Sequence, residues 1–229
     1  MYNIAKLLIP LVFLGIPLLC YSQEKYDYKS VAGNEIPVFR GELAEKYNYR
    51  LDGTVYAWSD EFETGDLEFN GKWYYGLTMN LNAHRNELQV RIGNSGENMS
   101  LKRSLVGDFT IGKRNCTALF GERKIKGLPE GYYQVLYRGK DMLLKQIYKN
   151  VTERVDFATH VPVKVFTTRT RYWLARGEKV TVIRGEKDLA GIYKERKGDI
   201  KKYIKEHKGK GGEKDDMLVS IMSLVEQKH

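Results

Sequence analysis

The chain has 229 residues, 42% of them hydrophobic and 29% charged, and a formal net charge of +9. That length suits one domain able to bury a real core, and two cysteines are too few for a disulfide framework. No tandem repeat and no extended disordered tract interrupts it.

Residues 7–20 form an apolar run behind Lys6, broken by Pro10, Gly15 and Pro17. The run is about one half to two thirds of a membrane-spanning helix. Ser22 is small enough for a peptidase to cut after it, and the polar Glu24-Lys25 follows. This order predicts a secretory signal over residues 1–22 and a mature chain exported to the periplasm or cell surface. Leu19 stands where a lipobox wants a small residue, which disfavours lipidation at Cys20. Export leaves Cys116, expected as a small buried hydrophobe rather than a reactive thiol. In an exported protein the positive charge points to envelope lipid head groups, lipopolysaccharide or acidic glycans rather than nucleic acid, or else to a solvated surface with no specific partner.

Residues 23–52 read as a lead-in with one short strand, since Pro37 and Gly41 break any pattern. Residues 53–184 show short alternating runs between turn residues, the mark of antiparallel sheet. Strands are expected over residues 73–79, 87–92, 132–138, 142–148, 172–175 and 179–183, with hairpins at Gly139-Lys140 and Arg176-Gly177-Glu178. The total is about nine to eleven strands, and a sheet that large curls. Residues 185–229 change period: Leu189, Ile192 and Tyr193, then Ile200, Tyr203 and Ile204, then Leu218, Ile221, Met222 and Val225 recur at helical spacing. Asp199 can cap the second helix, and residues 208–212 read as a flexible linker. The expected fold is mainly β (α+β): a strongly curved antiparallel sheet, open barrel or sandwich, with C-terminal helices packed on it.

With the strands placed, an order of residues becomes recognisable. Gly53-Thr54-Val55-Tyr56-Ala57-Trp58-Ser59-Asp60-Glu61-Phe62 precedes Gly65, Gly71-Lys72 and Met79-Asn80-Leu81-Asn82. Tyr132-Tyr133-Gln134-Val135-Leu136, Gly139-Lys140 and Leu143-Leu144-Lys145 follow, and Asp199-Ile200-Lys201-Lys202-Tyr203-Ile204 closes the order. The chain resembles a widespread family of uncharacterised exported β-rich proteins of Gram-negative envelopes, over residues 53–224. Arg138 departs from the family's usual acidic residue before Gly139. The resemblance implies a fold and an envelope location, and it brings no activity, cofactor or catalytic residue.

Motifs of the common enzymes are absent: there is no GxSxG, HExxH, Walker loop, GxGxxG or CxxC. The histidines at 84, 160, 207 and 229 are too far apart for a helical zinc pair. His84 reads as a solvent-facing residue of a turn, and His160 as the start of a strand. Asp60, Glu61, Glu63 and Asp66 crowd beside Trp58, Phe62 and Trp73. Such carboxylates serve glycoside hydrolysis if a second one stands roughly 5–9.5 Å across a cleft, or calcium binding, or a plain polar turn.

Sixteen tyrosines and three tryptophans, against eight phenylalanines, favour surfaces that are half apolar and half wet. Tyr74, Tyr75, Tyr132, Tyr133, Tyr137, Tyr172 and Trp173 are the candidates for an open concave binding face, the alternative being that they alternate in and out of a curved sheet. The leading expectation is a non-enzymatic envelope protein that binds a lipid, a lipoprotein or a surface polymer, without a cofactor. A structural or protein-interaction module is the second reading, and a glycan- or cell-wall-acting hydrolase using Asp60 or Glu61 the third.

Overall fold

A computed structural model describes residues 37–93, 96–207 and 213–226. The expected signal at 1–22 and the linker at 208–212 lie outside the described residues. Twelve strands form one sheet: β1 (Glu42–Leu43), β2 (Arg50–Asp52), β3 (Glu63–Phe69), β4 (Lys72–Asn82), β5 (Glu87–Arg91), β6 (Asn98–Ser100), β7 (Val106–Ile111), β8 (Arg114–Leu119), β9 (Gly131–Arg138), β10 (Met142–Val155), β11 (Pro162–Arg176) and β12 (Lys179–Ile183). Three helices follow: α1 (Glu186–Ile192), α2 (Lys197–His207) and α3 (Lys214–Glu226). The sheet runs β1-β6-β5-β4-β3-β7-β8-β9-β10-β11-β12, with β2 parallel to β11 at Val163↔Arg50. It is curled but not closed, because β1 and β12 end the path unpaired with each other. No helix among the described residues is long and apolar enough to cross a membrane.

Alternation builds three packed clusters. Leu67, Met79, Leu88, Phe109 and Ile111 point inward from neighbouring strands, each at most 1% exposed, and fill the space between the curled walls. At the other end of the sheet both faces are covered. Leu143, Tyr172 and Leu174 meet Leu189, Ile200, Leu218 and Ile221 of the three helices. Their sequence neighbours Leu144 and Trp173 point the opposite way, onto Leu119, Leu128 and Tyr133. Cys116 lies in the first cluster, and burial pushes its thiol up to about 12, so it stays protonated and packs as a hydrophobe.

The structure corrects three expectations. The lead-in contributes two short strands, β1 and β2, that join the sheet at separate places. Its polar sequence hides them, because both are exposed along their whole length. Strands β10 and β11 extend well past 148 and begin well before 172, in stretches without alternation. His160 does not begin a strand: it sits in the β10–β11 turn with φ 55, and β11 starts at Pro162.

One glycine is fixed by a close approach. A Cβ at Gly65 would stand 1.8 Å from the Thr110 carbonyl oxygen. Alanine there must push β3 off β7, so Gly65→Ala is expected to destabilise the fold by about 2–3 kcal/mol. A urea melt reads this directly, and an unchanged midpoint would mean that β3 and β7 part without cost.

Candidate functional site

The proposed aromatic face is divided by the fold. Tyr74 and Tyr132 are 2% exposed in the interior of the curl. Tyr133 and Trp173 fill the cluster under residues 119–128. Tyr172 is buried and Tyr137 half-buried beneath the helices. Tyr75 alone of the seven faces outward, its ring stacked 6.4 Å from that of Trp73. These residues therefore form no single surface, since successive residues of one strand serve opposite faces that are both covered.

The carboxylates near Trp58 also part company. Glu63 pairs with Arg114 at 2.7 Å. The Asp66 carboxylate accepts the N–H of Gly76 at 3.1 Å. Gly76 has φ 66 where β4 bulges against β3, so Asp66 holds a backbone irregularity. Asp60 accepts the Thr54 hydroxyl at 2.5 Å. Among the described residues no three potential ligands gather around a metal position.

A different site emerges on the outer face of the β4–β5 hairpin. Met79, Leu81, Leu88 and Val90 turn inward, so the intervening Asn80, Asn82 and Gln89 turn outward. All three amides are nonetheless at most 2% exposed, because residues 44–62 cross over them. Asn80 donates its amide to the carbonyls of Ser59 and Glu61, both at 2.9 Å, which fastens that segment down. The Asn82 carbonyl accepts the N–H groups of His84 and Arg85 and so shapes the turn, while its amide donates to the Tyr47 hydroxyl at 3.0 Å. The Tyr56 hydroxyl donates to the Gln89 carbonyl at 3.2 Å. Burial of an unbonded amide costs about 1–3 kcal/mol, so these tyrosines are needed where they stand.

His84 is not the solvent-facing residue its turn suggested. Its ring meets Phe166 of β11 edge-on at 5.0 Å, and its Nδ1 lies 3.0 Å from the Tyr47 hydroxyl. Burial, and then the neighbouring Arg85, hold its pKa below the usual histidine value, so it is neutral at pH 7.

Between the crossing segment and the hairpin lies a cavity of about 610 Å³. Tyr47, Tyr56, Asn82 and Gln89 line its inner side, Glu45, Lys46, Asp60 and Glu97 add charged groups, and Leu43, Leu51 and Val55 supply apolar wall. Burial foremost raises the pKa of Tyr47 and Tyr56, so both remain neutral hydroxyls at physiological pH. The sequence held one signal of this site, the alternation of Asn80 and Asn82 with Met79 and Leu81. Tyr47 carried none, since only the crossing of the lead-in brings it there.

Smaller cavities also lie among the described residues. One of about 410 Å³ lies among Asp141, Arg176, Tyr193 and Glu226, where the helices meet the β9–β10 turn. Another, about 330 Å³, lies beside Trp73, Asp108 and Arg138. Their charged groups are bonded to one another: Tyr193 donates to Asp141 at 2.5 Å, and Arg123 and Arg138 pair with Asp108 at 2.9 and 3.1 Å.

No protein-family model, no curated protein and no solved structure matches the chain. The resemblance to exported envelope proteins thus stands on the motifs between Gly53 and Ile204 alone.

Proposed function

We propose that this is an exported envelope protein that binds a surface polymer, with the cavity beneath the crossing segment taking a stretch of its polyhydroxylated chain. The carrying observation is the pair of buried amides, Asn82 and Gln89, held by Tyr47 and Tyr56 on the floor of a cavity with aliphatic walls. Sugars present hydroxyls on their rims and C–H groups on their faces. Fixed amides and neutral tyrosine hydroxyls match the first, and tyrosine rings with Leu51 and Val55 match the second. The volume falls within the roughly 300–1,000 Å³ of small-molecule sites. A lipid held inside the curl is disfavoured, because Leu67, Phe109 and Met79 already occupy that interior.

The reading is non-enzymatic. Asp60 faces the cavity but is already bonded to Thr54, and Glu63 and Asp66 are engaged elsewhere.

Saturation-transfer NMR against soluble cello-, xylo-, malto- and chito-oligosaccharides and muropeptides tests the proposal. At least one class is expected to bind, with Gln89→Ala and Tyr56→Ala each weakening it about tenfold or more, the worth of one hydrogen-bonded contact in such a site. No binding by any class, or binding indifferent to both substitutions, would overturn it.

A further inference from the structure

The long hairpin of β10 and β11 keeps its pairing out to Val155↔Pro162. Residues 150–155 are exposed without interruption, while opposite them Val163 and Phe166 stay buried where β2 and His84 cover β11, so the ribbon is anchored along one side and its tip projects beyond that cover. At its tip Phe157 is 94% exposed, with Val155 at 51% and Val161 at 45% beside it.

That exposure is built. The Asp156 carboxylate accepts the N–H groups of Ala158 and Thr159, both at 3.0 Å. The Asp156 N–H donates to the Val161 carbonyl at 3.0 Å, and the His160 N–H donates to the Asp156 carbonyl at 2.8 Å. Arg50 pairs with the same carboxylate at 3.4 Å, and Arg154 reaches Asp52 at 2.9 Å, which braces the ribbon against β2. A turn so bonded holds the phenyl ring outward, where it gains nothing from the fold. Behind it lies a basic collar: Arg169 and Arg171 are exposed on the ribbon, beside Arg154 paired with Asp52 and Lys164 paired with Glu153.

The geometry points to the β10–β11 tip as a membrane-contact finger, in which Phe157, Val155 and Val161 enter the interface of an anionic lipid bilayer while the basic collar meets its head groups. The occupant follows from shape and charge together. The tip is narrow and convex, which suits a surface that yields around it rather than a preformed pocket. The collar carries an excess of cations in a chain of charge +9, which matches acidic head groups. One aromatic side chain and a few basic residues give reversible attachment, as for other interfacial anchors. The finger is distinct from the amide-floored cavity and acts whether or not that cavity takes a glycan.

Vesicle flotation tests it, on the exported protein once its mass shows that residues 1–22 are gone. The protein is expected to float with vesicles of phosphatidylglycerol and phosphatidylcholine, less with phosphatidylcholine alone, and less as salt rises. Phe157→Asp is expected to lower the partition about tenfold or more, from the lost apolar contact and the added negative charge. Phe157→Trp is expected to retain binding, with emission quenched by brominated acyl chains. Since Phe157 is fully outside the core, both variants keep the fold. Failure of the native protein to float, or equal flotation of Phe157→Asp, would overturn the inference. A dimer seen by light scattering and dissolved by Phe157→Asp would also overturn it, by giving the tip to a second copy of the chain.

Discussion

Above about pH 10 the protein is expected to unfold cooperatively, with a group of its tyrosines ionising in the same step. Tyr132, Tyr133, Tyr172 and Tyr193 are each at most 6% exposed, and burial is the first cause that pushes their hydroxyls far above the usual tyrosine value. In Tyr172 and Tyr193 a bonded carboxylate adds to it: Asp215 at 2.7 Å and Asp141 at 2.5 Å both need the proton in place. The unfolded chain releases these protons near pH 10, whereas the folded chain keeps them. Above that pH the folded state therefore binds more protons, and its stability falls as pH rises. Each such group contributes a slope of about 1.4 kcal/mol per pH unit, so four give about 5–6 kcal/mol per unit. A domain with about 5–15 kcal/mol of stability would be spent within about two or three units. Tyrosinate absorbance and far-UV circular dichroism, recorded together against pH, check this. After the exposed tyrosines titrate, the remaining absorbance change and the loss of strand signal should coincide. Complete ionisation with the dichroism unchanged would show that water reaches these hydroxyls in the fold.

The same tyrosines show where sequence reasoning stopped. Alternation put Tyr133, Val135 and Tyr137 on one face, but a bulge in β9 against β10 sends Tyr137 under the helices while Tyr133 and Val135 pack with Leu119 and Leu128. It told correctly that residues 87–92 and 179–183 are strands. A curled sheet with C-terminal helices followed from these patterns. Alternation does not tell whether the second face of a strand is wet. On β9 to β11 it is covered twice, by the helices on one side and by Leu119, Leu128 and Ile125 on the other. An aromatic run then looks like a binding surface while serving two cores. The ribbon is the opposite case. Residues 150–155 and 167–171 are exposed at every position and so show no alternation, and the strands seemed to end there. Threonine-rich, β-branched composition was the remaining trace of them.

The cavity was hidden for a topological reason. Tyr47 reaches Asn82, and Gly53 packs its backbone on Phe166, because the lead-in crosses from β11 to the β4–β5 hairpin. Local spacing cannot report a contact made between distant stretches of chain. Asn80 and Asn82 could be seen on one face, but the segment that buries them could not be inferred.

Asp141→Ala is expected to loosen the helical side of the molecule at a cost of about 2–3 kcal/mol, because it leaves a buried hydroxyl without an oxygen acceptor. The side chain is buried in the β9–β10 turn and accepts the Tyr193 hydroxyl at 2.5 Å, with the Arg176 Nε at 3.5 Å. Its own N–H donates to Glu226 at the end of α3, and the Tyr137 hydroxyl donates to the same carboxylate at 3.0 Å. Arg176 also lies over the Tyr193 ring at 4.8 Å. One turn thus ties β9, the corner after α1 and the end of α3. Alanine leaves the 2%-exposed Tyr193 with only the Met222 sulfur, 3.9 Å away, to receive its proton. Asp141→Asn keeps an acceptor and should cost less, about 1–2 kcal/mol, and Tyr193→Phe about 1 kcal/mol, since the Asp141 carboxylate keeps Arg176 beside it. That order is the test. Chemical unfolding should rank Asp141→Ala well below the other two, and limited proteolysis should find α2 and α3 cut first in it. Equal costs for Asp141→Ala and Tyr193→Phe would mean that the hydroxyl bond is the whole interaction. The helices would then be held by Leu189, Ile200 and Ile221 packing on the sheet, with the buried carboxylate adding nothing of its own.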